Sequence, residues 1–526
     1  MRKRFLCLFC AFSALVITIL GCAPGFRAVP RTGGAPGALF TRDIDAVDFG
    51  EIEHKPWDFA AAVQTAGVRE PKAYTIMIYM NGSDLESENG EATKDLREML
   101  TSGVDTQRFN ILIFTGGTRR WQTAAIPADD CVIWRLAHDG LERITGIGLR
   151  DMGDSGTLSS FIRFGMTAFP AEKYGLILWD HGGGSIAGFG HDELFDKSRM
   201  SLLELDYAFS RAGLSETKLE FIGFDACLMA TVETAVVAAR YARYFTASQD
   251  LEPGDGWDYV FLGVLNESPG IGGAQIGRAI ADAYMDFYGP GSIENLTMSV
   301  TDLSRVKSVM AAMGDLMGRC TDSLNADRDD AFPAIARRRH RTKTFGSAAR
   351  RNNDCDLVDL ADMNRRLRDV FPEETQTLQA ALTDAVVYNR HNLLTDIGGL
   401  AAYYIFSGKA DAHNTLGVYH SLSMSEDYTE FLKTFAGILE DAPDMPPEGR
   451  WATIGGERVY LYKIGENVYA DEYAAPVQVN GEDADLIVTF CESAPHGIIR
   501  GYRLCNGHMR PKGVTAVDNE QLTINS

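Results

Sequence analysis

From residue 73 onward, short and continuously apolar runs alternate with longer segments whose apolar residues recur at helical spacing. Apolar runs without polar alternation are typical of strands that are buried on both faces. The runs that predict strands are YTIMIYM (74–80), FNILIF (109–114), YGLILW (174–179), LEFIGF (219–224), YFTAS (244–248) and LTMSVTD (296–302). Segments such as LSSFIRFGMTAF (158–169) and LMATVETAVVAARYA (228–242) predict the helices between them. Alternating β and α units predict an α/β fold with a mostly parallel central sheet covered on both faces.

The pattern changes twice towards the C-terminus. Residues 303–440 are mainly helical in spacing, with one apolar run, LAAYYIF (400–406), that predicts a further strand. A proline-rich break, DAPDMPPEG (441–449), follows. The runs after it, RVYLYKI, VYADEY, APVQVN and ADLIVTF, are separated by Gly and Asn turns and predict short strands. We therefore expect a main domain over residues 73–440 and a small β-rich C-terminal domain over residues 441–526.

The N-terminus has the composition of a targeting segment. Arg2, Lys3 and Arg4 precede an uncharged apolar run over residues 5–20, which is short for a membrane-spanning helix and has the flanks of a signal peptide. Gly21 before Cys22 resembles a bacterial lipobox, which implies a signal peptide over residues 1–21 and lipidation of Cys22. The alternative is an ordinary signal peptide with a coincidental cysteine.

A tether follows the signal peptide. Residues 22–72 are rich in Gly, Pro and Ala and lack sustained periodicity. Together with the lipobox, they predict a protein held at the bacterial cell envelope by a lipid anchor. Ala23 after the cysteine favours the outer membrane or the cell surface.

Charge and cysteine content exclude several classes of protein. The 526 residues include 50 basic and 72 acidic side chains, for a formal net charge of −22. This balance argues against a nucleic-acid partner, which needs a basic face. The cysteines beyond Cys22 are too scattered for a disulfide scaffold. A pairing of Cys491 with Cys505 stays open, and we expect a monomer.

Two predicted strands end in residues that can perform chemistry. His181 follows one buried strand and precedes three glycines in DHGGG, and Cys227 follows the next strand in DACLM, where a helix is predicted to begin. A cysteine at a helix N-terminus is favoured as thiolate, and a neighbouring histidine can act as its base. Glycines let backbone N–H groups approach a substrate, as an oxyanion hole requires. Separately, the two residues could be a structural histidine and a small buried core cysteine; together they predict a thiol hydrolase.

Other chemistries lack their motifs. Neither GxGxxG nor GxxxxGK[ST] is present, and the nearest match to G-x-S-x-G, GGSIA (183–187), lacks the final glycine. His191 has no cysteine or carboxylate at a zinc-binding spacing, so no metal ligands are predicted.

The motifs around His181 and Cys227, together with YMNGSDLE (79–86) and EPGDGW (252–257), resemble the clostripain family of cysteine peptidases. The resemblance covers about residues 73–435. It implies a caspase-like α/β/α fold, with Cys227 as the nucleophile and His181 as the general base and later acid. It also implies an oxyanion hole made by the backbone N–H groups of Gly182 and Cys227. Ser185 stands where many relatives carry a tryptophan.

The same resemblance implies cleavage after Arg or Lys, through an acidic residue two positions before the nucleophile. That residue is Asp225, whose carboxylate would pair with a guanidinium or an ammonium group. The alternative is a carboxylate that caps the helix predicted to begin near Cys227. A second pocket acid is expected from the loop DLEPGDGWDY, with Asp255 favoured over Asp250; an ordinary turn would have the same composition.

Some family members cleave themselves between the His and Cys strands, and here the segment GHDELFDKSRM offers Lys197 and Arg199 as self-cleavage sites. No cofactor is required for the chemistry; calcium is implied by the resemblance only, because no EF-hand spacing is present. The expected partners are protein or peptide substrates with Arg or Lys. The alternatives are a catalytically weak surface lipoprotein that acts as a binding module, and the same dyad with a different specificity.

Overall fold

The computed structural model describes residues 57–268, 270–292, 295–346, 356–406 and 412–441, and the backbone of the strands between residues 449 and 517. The chain divides into two compact units: residues up to 319 together with 342–430, and residues 320–341 together with 431–526. Cys22 and Cys505 lie outside the described residues, as does the side chain of Cys491. The predicted boundaries at residues 73 and 441 stay predictions.

The first unit contains a large sheet and two small ones. Its strands are β1 (Lys72–Asn81), β2 (Phe109–Gly116), β3 (Val132–Ala137), β4 (Gly140–Gly146), β5 (Ala171–Trp179), β6 (Phe189–Asp192), β7 (Ser198–Met200), β8 (Leu219–Asp225), β9 (Ala242–Ala247), β10 (Thr297–Asp302), β11 (Thr344–Phe345), β12 (Leu357–Asp359), β13 (Val386–His391) and β14 (Ala401–Tyr403).

The large sheet has nine strands in the order β13-β10-β9-β8-β5-β1-β2-β3-β4. The five central strands, from β9 to β2, are parallel to one another, and the two strands at each edge pair in antiparallel fashion. All six predicted strands of this sheet are confirmed, as is the strand predicted within residues 400–406. The parallel centre confirms the predicted α/β fold class. The small sheets are β11-β12-β14 and β6-β7.

The helices of the chain are α1 (Phe59–Ala66), α2 (Glu91–Thr101), α3 (Ser155–Ala168), α4 (Gly184–Ala187), α5 (Leu202–Arg211), α6 (Val232–Ala238), α7 (Gly273–Tyr288), α8 (Val306–Ala326), α9 (Arg328–Arg341), α10 (Leu360–Leu367), α11 (Pro372–Ala385), α12 (Ala412–Ser421) and α13 (Glu426–Asp441). A π-helical turn covers Leu85–Asn89, and a 3₁₀ helix covers Tyr259–Asn266. Among the described residues, none of these helices combines the length and the apolar run that crossing a membrane requires.

Helices cover both faces of the large sheet because its central strands are apolar on both sides. On β1, Ile76 and Ile78 are fully buried in one apolar cluster with residues of α2 and α7. The next residue, Tyr79, faces the other way, and its ring centroid lies 6.0 Å from that of Phe161 on α3. Burying apolar surface on two sides stabilises a three-layer arrangement and leaves the carboxyl ends of the strands for polar groups.

The second unit contains an antiparallel sheet near the C-terminus. Its strands are β15 (Gly449–Ile454), β16 (Glu457–Gly465), β17 (Val468–Asp471), β18 (Pro476–Val479), β19 (Glu482–Cys491), β20 (Gly497–Leu504), β21 (Met509–Pro511) and β22 (Ala516–Val517). The main path runs β15-β16-β17-β19-β20-β21, with β18 on β19 and β22 on β20. The strands predicted after the proline-rich break are therefore confirmed.

Candidate active site

The register of β5 and β8 brings His181 and Cys227 to the same edge of the sheet. The two strands are parallel neighbours, and Trp179 lies opposite Asp225. His181 and Cys227 each follow two residues later, and the backbone N–H of Asp180 still donates to the carbonyl of Asp225 (3.3 Å). Because neighbouring strands lie about 4.8 Å apart, the two predicted catalytic residues leave the sheet side by side.

The backbone after His181 packs directly against the backbone at Cys227. A Cβ atom on Gly182 would lie 2.0 Å from the carbonyl oxygen of Cys227 and 3.1 Å from its nitrogen, so that no side chain fits at position 182. The backbone segments of the two predicted oxyanion-hole donors are thus in contact. Nearby, Ser185 in α4 is buried and accepts a hydrogen bond from the Tyr419 hydroxyl (2.8 Å).

Cys227 does not begin a helix, so the predicted helix-dipole contribution at its sulfur is wrong. Helix α6 starts only at Val232, with Thr231 as its N-cap. Between them Leu228 has a positive φ of 67°, and its N–H donates to the carbonyl of Asp250 (3.1 Å). The chain after Cys227 therefore pairs with the loop that follows β9 before it turns into the helix.

The loop after β9 also supplies two polar neighbours of the Cys227 sulfur. The backbone N–H of Glu252 donates to Cys227 Sγ (3.2 Å), and Sγ lies 3.7 Å from the carbonyl oxygen of Glu252. An N–H donor suits a sulfur that carries negative charge. Cys227 is 3% exposed, as for a core cysteine, but its surroundings include a histidine strand end and polar backbone.

Asp84 is a site residue that the sequence reasoning missed. Its Oδ1 lies 2.7 Å from Nε2 of His181, in the loop after β1. Burial raises the pKa of Asp84, but the hydrogen bond and charge of His181, helped by His191, outweigh this effect and hold that pKa at about 2. Asp84 belongs to the motif YMNGSDLE, which the sequence analysis had noted. It meets its partner His181 only because β1 and β5 are adjacent in the sheet.

A second histidine stands beside the first. The His191 ring on β6 lies 5.1 Å from the His181 ring, centroid to centroid. The backbone N–H of His191 donates to the Asp180 carboxylate (2.5 Å), and burial raises the pKa of Asp180 to about 7. Asp84, His181 and His191 form a group that could hold a metal ion. The fold thus gives His191 neighbours that its position in the sequence did not predict.

Asp225 lies within the protein at the end of β8. It is 4% exposed, and its carboxylate accepts hydrogen bonds from the Tyr259 hydroxyl (3.0 Å) and the Trp257 N–H (3.2 Å). Gly256 (φ 60°) allows this approach, since a Cβ there would lie 2.8 Å from Asp225 Oδ1. The alternative of Asp225 as a helix cap is wrong, because Thr231 caps α6.

Other acidic side chains surround Asp225. Burial raises the pKa of Asp225 to about 7, although hydrogen bonds from Tyr259, Trp257 and Glu252 oppose the shift. Burial, followed by the charge of Asp225, raises the pKa of Asp95 well above its usual range. Desolvated carboxyl groups that raise one another's pKa make a region that a cation would stabilise.

The acids near Asp225 include side chains on α2, and their helical spacing in the sequence is the signal that could have predicted a shared face. Asp95 Oδ2 accepts a hydrogen bond from Trp179 Nε1 (2.6 Å), and Glu98 accepts one from the Tyr259 N–H (3.0 Å). Glu91, Asp95 and Glu98 recur every three or four residues, so they share the face of α2 directed at the sheet.

The two acids predicted from the loop after β9 have other partners. Asp255 is half exposed and forms an ion pair with Lys94 on α2 (2.8 Å). Asp250 is buried and accepts the backbone N–H groups of Leu251 (2.9 Å) and Gly346 (3.0 Å). These contacts support the loop, and a pocket role for either acid stays a prediction. The acidic side chains that affect the pKa of Asp225 include Glu252 of the same loop and Glu98 on α2.

The two predicted self-cleavage sites are exposed and lie between β5 and β8. Lys197 closes the turn between β6 and β7 with a φ of 61°, and its N–H donates to the Asp192 carbonyl (2.9 Å). Arg199 lies within β7. Peptides commonly bind in extended form, so the bond after Lys197 needs the turn to open first.

We expect Asp225→Asn to stabilise the protein increasingly as the pH rises from 5 to 8. With a native pKa of about 7 against an ordinary value of 3.8, the folded chain holds a proton that the unfolded chain has lost. The free energy of unfolding therefore falls as the pH rises through this window, and asparagine removes that loss. Thermal unfolding at each pH measures the difference.

Asp255→Asn is the matched control. It removes a half-exposed ion pair, which is worth at most about 1 kcal/mol, and its effect should not grow with pH. Equal pH dependence in the two variants would contradict the assignment of a buried charge to Asp225.

Comparison with known proteins identifies relatives. The sequence model of the clostripain family matches residues 78–441. Clostripain from Hathewaya histolytica is 26% identical over 186 residues, which cover 31% of this chain and 35% of clostripain. The match thus spans about a third of that relative's length.

Solved structures share the fold. A secreted C11 cysteine protease from Bacteroides thetaiotaomicron, in complex with an irreversible peptide inhibitor, superposes with a TM-score of 0.51 at 18% identity. An inactive zymogen C11 protease from Parabacteroides distasonis gives 0.51 at 19% identity. Each comparison covers 69% of this chain and 99% of the other. The fold expected from the family resemblance is therefore confirmed.

Proposed function

Because this chain belongs to the clostripain family of cysteine peptidases, we propose that it is a cysteine endopeptidase with Cys227 as nucleophile and His181 as general base. One observation carries the proposal: β5 and β8 are parallel neighbours in a register that delivers the two residues side by side at one edge of the sheet. A thiol and an imidazole in this arrangement are the parts that acyl transfer requires.

The reaction follows from these groups. His181 takes the proton of Cys227 Sγ. The thiolate then attacks the peptide carbonyl carbon, and the π electrons of the C=O bond move to the oxygen. The N–H groups of Gly182 and Cys227 donate to that oxyanion. When the C–N bond breaks, the imidazolium returns its proton to the leaving amine. Water, deprotonated by His181, then releases the acyl group and restores the thiol.

We assign Asp84 the role of positioning His181. Its carboxylate holds Nε2 at 2.7 Å, which fixes the ring orientation and leaves Nδ1 to exchange the proton with sulfur. A carboxylate on the far nitrogen also stabilises the imidazolium that forms during each turn of the reaction.

The specificity we propose is for Arg or Lys before the scissile bond. Support comes from the buried carboxylate of Asp225, two residues before the nucleophile, and from the acids that raise its pKa. Lys94, the lysine nearest to these acids on α2, is already paired with Glu91 and Asp255. A guanidinium or ammonium group from the substrate would offset the remaining charge.

We further propose self-processing after Lys197 or Arg199 and a lipid anchor at Cys22. The exposure of both basic residues and their position between the His and Cys strands support the first. The lipobox supports the second. Intact-mass spectrometry of purified protein and labelling of cells with an alkynyl fatty acid test them separately.

The experiment that tests the function is a panel of fluorogenic peptides ending in Arg, Lys, Asp or Leu, incubated with residues 23–526. Cleavage after Arg and Lys, located by mass spectrometry of the products, is the expected result. A folded chain that turns over none of the four would instead support the surface binding lipoprotein.

Asp84→Asn should lower kcat by about 10- to 100-fold while KM changes little, because it weakens the orientation and charge of His181 without touching the substrate. Steady-state kinetics on the Arg peptide measure both constants. Thermal unfolding of the variant controls for folding. An unchanged kcat, or a loss carried by KM alone, would contradict the positioning role.

A further inference from the structure

Three metal-ligating side chains converge beside the proposed dyad. One ligand atom from each of Asp84, His181 and His191 lies within 4.8 Å of the other two. Bonds of about 2.0 to 2.2 Å to a tetrahedral metal bring its ligand atoms within roughly 3.6 Å of one another. Small changes in side-chain torsion would therefore close this group around one ion.

The proposed peptidase mechanism leaves His191 unexplained. The residue is 6% exposed, and its backbone N–H is satisfied by Asp180. Within the described residues its ring makes no hydrogen bond, and it lies against the His181 ring. A neutral imidazole without a hydrogen-bond partner keeps a nitrogen lone pair that a metal ion can take.

We propose that Asp84, His181 and His191 form an inhibitory zinc site. Two imidazole nitrogens and one carboxylate are a donor set that zinc accepts, with a fourth position open, whereas magnesium and calcium prefer oxygen ligands. The three residues come from the loop after β1, the end of β5 and strand β6, which the fold holds together.

Zinc at this site would stop the chemistry by occupying the general base. A metal ion on Nε2, the nitrogen that faces Asp84, would oppose protonation of Nδ1 through its positive charge, and Asp84 bound to the metal would no longer orient the ring. Metal binding and turnover are then mutually exclusive. The inhibition rests on the proposed function, but the binding of zinc does not.

Binding is tested without activity, on residues 23–526 carrying Cys227→Ala, which removes the thiol as a competing ligand. Zinc chloride is titrated into the metal-stripped protein in competition with a chromophoric chelator. We expect one zinc per chain, and affinity lower by about 100-fold or more when His191→Gln is added. His138→Gln, an exposed histidine, is the matched control and should leave the affinity unchanged.

Two results of that titration overturn the site: no binding by the Cys227→Ala chain, or equal binding after His191→Gln. Circular dichroism and thermal unfolding verify that each variant folds. If His191→Gln does not fold, His191→Asn takes its place in the titration.

Inhibition is tested with Cys227 intact. Each chain, wild type and His191→Gln, is first assayed with the Arg peptide in the presence of a chelator, and that rate is the reference against which the effect of zinc on the same chain is expressed. Micromolar zinc should inhibit the wild type and spare the variant. Equal inhibition of both would mean that zinc acts through the thiol, which overturns the proposal. Zinc binding through His191 in a chain that cleaves no peptide supports the site and overturns the proposed function.

Discussion

Cys227→Ala is expected to abolish peptide hydrolysis, with a loss of about 10⁴-fold or more, because no other group can form the acyl intermediate once the thiol is gone. The folded structure should persist, since alanine fills most of the space of a buried cysteine. The hydrolysis rate of the Arg peptide measures the peptidase activity, and the intact mass of the variant measures self-processing. Cleavage in the region of Lys197 or Arg199 should appear in the wild type alone.

Cys131 provides the control. It is also buried, and its sulfur likewise accepts a backbone N–H, from Arg150 (3.3 Å). Burial raises the pKa of Cys131 to about 12, so its thiol should resist alkylation at neutral pH, and Cys131→Ala should keep nearly full activity. Iodoacetamide labelling that falls on Cys131 and spares Cys227, or turnover that survives Cys227→Ala, would remove the basis of the dyad.

Asp225→Asn is expected to lower kcat/KM for Arg and Lys peptides by about 100- to 1000-fold, which is the cost of leaving a desolvated substrate cation without its partner. Cleavage of a Leu peptide, however slow, should change little, because the dyad does not use this carboxylate. The ratio of the two kcat/KM values is therefore the quantity to measure.

Two controls separate specificity from damage to the fold. Asp255→Asn removes an acid that already pairs with Lys94 and should alter the ratio by no more than a few-fold. The rate at which iodoacetamide alkylates Cys227 should be the same in Asp225→Asn and in the wild type. A preserved Arg and Lys preference in Asp225→Asn would refute the pocket assignment and leave the dyad with a different specificity determinant.

The sheet could be predicted because its information is local. Each central strand is a short apolar run, and a run of that kind has few alternatives to burial between helices. The hairpin of β3 and β4 was missed although β3 is largely apolar and Asp139-Gly140 at its tip is a known hairpin signal. Its second strand, β4, lies at the edge of the sheet and carries Glu142, Arg143 and Thr145, which hide the strand pattern. Strand β13 was missed for the same reason: all six of its residues are only partly buried.

The sequence predicted only those parts of the candidate site in which a residue and its own short motif indicate the position in the fold. His181, Gly182 and Cys227 belong to short segments that follow strands, so their proximity was implied by the strand order. The segment after Cys227 was predicted as helix because its apolar spacing is helical, and the αL conformation of Leu228 depends on pairing with a loop more than twenty residues away. The contacts of Asp84, Asp95 and His191 likewise depend on which strands and helices become neighbours.

The contact between Gly182 and the carbonyl of Cys227 has a consequence for how genomes are read. A Cβ atom at position 182 would clash with that carbonyl, so a gene duplicate that retains both the histidine and the cysteine codons but encodes a side chain there would lose the proposed oxyanion hole. Among paralogues of this chain, we therefore expect the residue after the histidine to help to distinguish active peptidases from inactive ones.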